Sequence, residues 1–107
     1  MTDRELLELA AKAAGYIVVG HYEYGLKIEC HDGGEASKGF VKWCPHLDDG
    51  DALRLAVDCG IGMRFHDGWG EVFHPIGHLE FKYDGDKQTT TRFAISMLAS
   101  EIGKEMK

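Results

Sequence analysis

Cysteine, histidine and aspartate alternate at Cys44, His46 and Asp48, immediately ahead of two more acids, Asp49 and Asp51. Thiols, imidazoles and carboxylates are the groups that bind metals, relay protons and attack carbonyls, so this stretch is where chemistry is first sought. Cys30 with His31, and His74 with His78, supply two further close pairs. A zinc centre needs about four such donors in tetrahedral reach. The candidate ligands in this sequence are Cys44, His46, His74 and His78. Pro75 and Gly77 oppose the helix that would place His74 and His78 on one face, so a zinc site would have to be assembled across the fold.

Two other chemistries fit less well. Calcium loops space oxygen ligands at alternate positions over about 12 residues and close with a glutamate. The cluster Asp48, Asp49 and Asp51 beside Gly50 has neither feature and reads as the cap and first turn of a helix, where acids meet the positive end of the dipole. A nucleophile, its base and an orienting acid come from separate segments, whereas Cys44, His46 and Asp48 are crowded together. No catalytic residue is assigned, and the chain is not read as an enzyme. No cofactor is expected; the alternative is a zinc or small-molecule site around Cys44 and His46.

The elements that must position these groups follow from local signals. Thr2 with Glu5 has the form of a capping box, and Leu6, Leu9, Ala10 and Ala13 recur at helical spacing until Gly15, which predicts a helix over 3–14. "YIVVGHY" and "GLKIEC" are rich in β-branched and aromatic residues and form a hairpin turning at Tyr24 and Gly25. "HDGGEASKG" reads as a mobile turn, and "FVKW" as a short strand. A second helix runs from Asp49 to Cys59, with Gly60 as its stop. "IGMRFH" and "HLEFKYD" are strands flanking an aromatic loop, "DGWGEVFHPIG", in which "EVF" extends a strand. Asp86 caps a last helix with Thr91, Ile95, Leu98 and Ile102 in line and Arg92, Ser96, Glu101 and Lys104 on other faces.

This order predicts one α+β domain over 1–107: a single-layer antiparallel or mixed sheet of four to five strands covered by three helices, an α/β/α sandwich. The glycine pairs at 60–62 and 68–70 lack the third glycine and following helix of a dinucleotide-binding loop. A net charge of −6 opposes direct nucleic-acid binding, and the acids are scattered among helix starts and loops rather than gathered as in a DNA mimic. No apolar run approaches the roughly 18 residues of a membrane helix, and charges interrupt the first 15 residues, so neither signal peptide nor membrane association is expected. Three cysteines cannot all pair within one chain, which suits a reducing cytoplasm.

Aromatic residues suggest contact surfaces. Tyr22 and Tyr24 stand at the hairpin tip, and Trp69 and Phe73 in the glycine-bearing loop, where large rings anchor interfaces at low entropic cost. Trp43, beside a proline and a helix start, is assigned to the core. "W-x-P" at Trp43 and Pro45, "DDGDALRLAV" at 48–57, and "TTRFAI" leading to "ASEIGKEM" resemble the small bacteriophage and prophage proteins of the phage ABA sandwich domain family. The likeness extends from "ELLELAAKAAGY" to the end, with Cys44 and His46 standing where that pattern leads one to expect Asn and Leu. It implies a sheet between helical layers and a phage or prophage accessory protein in the host cytoplasm, and brings no catalytic residues. The expected function is a non-catalytic protein-binding module with a host or phage protein as partner. Homodimerisation through a helical face or sheet edge belongs to the same class.

Overall fold

The computed structural model describes residues 2–29 and 40–106. Cys30, His31 and the glycine-rich stretch after them lie outside the described residues. Among the described residues, all three helices begin as their local signals dictate. In α1 (Asp3–Ala14), the Thr2 hydroxyl accepts from the Glu5 amide at 3.1 Å while the Glu5 carboxylate accepts from the Thr2 amide at 3.3 Å. Asp48 caps α2 (Asp49–Cys59) and Asp86 caps α3 (Lys87–Glu105), each accepting from an amide three residues on. Gly15 and Gly60 end α1 and α2 at φ of 80° and 72°, left-handed values that an L side chain rarely tolerates.

The described strands form two antiparallel sheets of three, where one sheet of four or five was expected. The first sheet contains β1 (Val18–Tyr22), β2 (Gly25–Glu29) and β3 (Phe40–Trp43); the second contains β4 (Gly62–Phe65), β5 (Trp69–His74) and β6 (Gly77–Lys82). α2 separates β3 from β4, and these two strands do not pair. The loop expected around Trp69 is largely β5, because Trp69, Glu71 and Phe73 alternate with Gly70 and Val72 across two faces.

The layering also differs from a sheet enclosed by helices. The most extensive packing is α1 on α3; the first sheet rests on α1 and the second on α3, so helices lie between sheets. Small residues make this possible. Ala10 and Ala11 of α1 and Ser96 and Ala99 of α3 are wholly buried, and a Cβ on Gly103 would stand 2.0 Å from the Leu9 carbonyl oxygen. α3 therefore buries residues around much of its circumference, and Ser96, expected off the apolar line, turns its hydroxyl to the Arg92 carbonyl at 2.9 Å. Leu7, Leu26, Leu55, Val72, Ile95 and Leu98 fill one continuous core, joined by Trp43 as assigned.

Candidate functional site

The second sheet has an inner face turned to α3, where Val72 is fully buried and Gly77 lies against Leu98. Strand alternation puts a different set on the outer face. Arg64, Glu71 and Glu80 stand in one cross-strand row, with Trp69 opposite Lys82 and Phe73 opposite His78. Gly62 provides the space for the Phe73 ring, which a Cβ there would meet at 2.3 Å.

Glu71 is the centre of this face and is only 8% exposed. Its Oε2 takes His66 Nε2 at 2.6 Å and Arg64 Nη1 at 3.4 Å, and its Oε1 takes His78 Nε2 at 2.7 Å. The His66 bond, then the His78 bond, hold its carboxyl below the usual glutamate range. His66 is fixed from two further sides: its ring stacks on Trp69 with centroids 3.9 Å apart, and its amide donates to the Trp69 carbonyl at 2.8 Å. The Arg64 guanidinium sits 5.3 Å from the Phe73 ring centroid, a cation–π distance.

His66 also lines a groove of about 360 Å³ between α2, α3 and the edge strand β4. Ala52 and Leu53 form one wall, Met63 and Phe65 another, and Ile95 is part of the lining. Leu53 and Phe65 are 59% and 58% exposed. Arg92 braces one end, paired with Asp49 and donating to the His46 carbonyl at 3.2 Å. The volume falls in the range of small-ligand pockets and suits one or two apolar side chains.

The sequence candidates are distributed over the molecule. Tyr22 and Tyr24 are exposed at the first hairpin's tip, on the other sheet from Trp69 and Phe73. The four candidate zinc ligands are not brought together. Cys44 fills the notch left by Gly25 and donates through Sγ to the Tyr24 carbonyl, while its amide donates to Asp51 at 2.9 Å. Burial, the largest cause, pushes the Cys44 thiol pKa up. His46 is 7% exposed, with its ring centroid 6.0 Å from that of Phe93 and its Nδ1 unpaired. His74 and His78 leave opposite faces of the second sheet, and His74 Nδ1 accepts from the Ile76 amide at 3.2 Å.

Among the described residues, the group able to hold a metal is Glu71, His78 and Glu80, of which the sequence reading named His78 alone. The missed signal lay in two alternating runs, "WGEVF" and "HLEFK", which place every second residue on one face. Comparison with protein-family models, curated proteins and solved structures finds no match to this chain.

Proposed function

We propose that this chain is a non-catalytic protein-binding module, a small phage or prophage accessory protein acting on a host or phage protein. Its contact surface is the groove between α2, α3 and β4, together with the adjoining His66–Trp69 corner. The observation that carries this reading is the pair Leu53 and Phe65, large apolar side chains each more than half exposed on the walls of one apolar groove. Covering such groups is favourable at about 25 cal/mol per Å² of apolar surface removed from water. The rim is polar, with Asp49, Lys87 and Gln88, and an apolar centre ringed by polar groups is the anatomy of an interface. β4 is an edge strand, so an extended partner segment can pair with it while seating a side chain in the groove.

The test is affinity capture from host lysate with the wild-type chain, Phe65→Asp, and Tyr24→Asp at the distant hairpin tip. A partner held at stoichiometric levels by wild type and Tyr24→Asp, and lost with Phe65→Asp, is the expected result. Capture that survives Phe65→Asp refutes the groove as the contact surface.

A further inference from the structure

We propose that Glu71, His78 and Glu80 form a binding site for a first-row divalent transition ion, with zinc as the probe, on the outer face of the second sheet. This site adjoins the groove at His66 but does not depend on the groove reading. One donor atom from each residue lies within 4.8 Å of the other two. The register explains why: Glu71 faces Glu80 directly across β5 and β6, and His78, opposite Phe73, is the diagonal neighbour.

Two carboxylates directly opposite one another on a sheet repel, and a divalent ion between them reverses the sign of that interaction. Glu71 is also oriented in advance. His66 and Arg64 hold Oε2, leaving Oε1 to His78, and the stack on Trp69 fixes His66 in turn. Such outer partners are what aim a metal-binding carboxylate. The ion would replace the proton shared by Glu71 Oε1 and His78 Nε2, now 2.7 Å apart. Ligand bonds of about 2.0–2.2 Å in tetrahedral geometry require those atoms to part to about 3.4 Å. The His78 side chain is 47% exposed and has room to move that far. Two oxygens and an imidazole nitrogen suit zinc and its neighbours, whereas magnesium and calcium favour oxygen-only shells.

The experiment is calorimetric titration of zinc chloride into the untagged chain, with magnesium chloride in parallel and circular dichroism to verify folding. One zinc per chain is expected, with magnesium at least about tenfold weaker. Glu80→Gln and His78→Ala, both at exposed positions, should each weaken zinc at least about tenfold, and His66→Ala by about ten- to 100-fold through the lost orientation of Glu71. His21→Ala, on the first sheet, should leave affinity unchanged. Absence of stoichiometric zinc binding, or unaltered affinity in the folded Glu80→Gln/His78→Ala double variant, overturns the site.

Discussion

Replacing Gly103 by alanine tests the central helix pairing most directly. In an exposed helix the change would stabilise by up to ~1 kcal/mol, because glycine is the poorer helix former. Here the new Cβ would stand 2.0 Å from the Leu9 carbonyl oxygen and 2.7 Å from its carbon, backbone atoms of α1 that cannot rotate aside. Restoring ordinary contact at about 3.5 Å means separating α1 and α3 locally by about 1.5 Å, and a gap of that size forfeits much of the dispersion attraction around it. The contacts at stake are those of the fully buried Ala10, Ala11, Ser96 and Ala99. Overpacking of this kind costs ~1–3 kcal/mol and sometimes more. A clash with backbone falls at the upper end of that range, about 3 kcal/mol, so against a propensity gain of ~1 kcal/mol the net expectation is a loss of about 2 kcal/mol, or roughly 10 °C in Tm for a domain of this size. Urea and thermal unfolding followed by far-ultraviolet circular dichroism measure it. Gly50→Ala is the matched control, since its Cβ meets only the side-chain ends of Asp48 and Arg54 at 3.2 and 3.4 Å. A Gly103→Ala protein as stable as wild type would refute the close helix seam.

Other expectations concern titratable groups whose pKa the fold shifts. Burial lowers the pKa of His46, with Asp3 opposing, so the unfolded chain takes up a proton near the ordinary value of 6.5 that the folded chain resists. The contribution of His46 to stability is therefore complete above about pH 6.5 and declines as pH falls through its folded pKa. His46→Leu should flatten the stability slope as pH falls below about 6.5; an unchanged slope would refute the assignment. The hydrogen-bonded carboxylates of Glu5 and Glu71, also held low, act in a separate window below 4.5. Burial first, then Asp58, pushes the Cys59 thiol up to about 11 from an ordinary 9.0, so at pH 8 its thiolate fraction is about a hundredth of that of a free thiol. Peptide mapping after brief iodoacetamide treatment should find Cys59 far less modified in the native than in the urea-unfolded chain, and equal modification would contradict that burial.

What the sequence disclosed and what it withheld divide by range. The helix caps at Thr2, Asp48 and Asp86 and the glycine stops at 15 and 60 were legible because each is decided by residues within a few positions. The division into two sheets was not, since nothing local in β3 and β4 records that they fail to pair. α3 misled for a related reason. A helix contacting neighbours on several sides hides its packing among alanine, serine and glycine, which carry little hydrophobic signal. Trp69, Phe73 and His78 were identified by residue type, but Glu71 looks like any surface acid until the strand register puts it between two imidazoles. Cys44 drew attention as a candidate zinc ligand and is explained by the missing side chain of Gly25, nineteen residues earlier on the neighbouring strand.

The α1–α3 pairing also bears on how the chain acquires its structure during synthesis. Leu9 meets Gly103 and Lys12 reaches the Met106 carbonyl, so α1 leaves the ribosome well before its principal partner, α3. Until α3 emerges, α1 lacks its principal partner and the inner face of the second sheet lacks the helix it rests on. A nascent chain that stops before residue 87 can form hairpins and capped helices but cannot close its core. The final closure joins segments far apart in sequence, the kind of contact that slows folding, so the interval before it is when this chain is most exposed to aggregation.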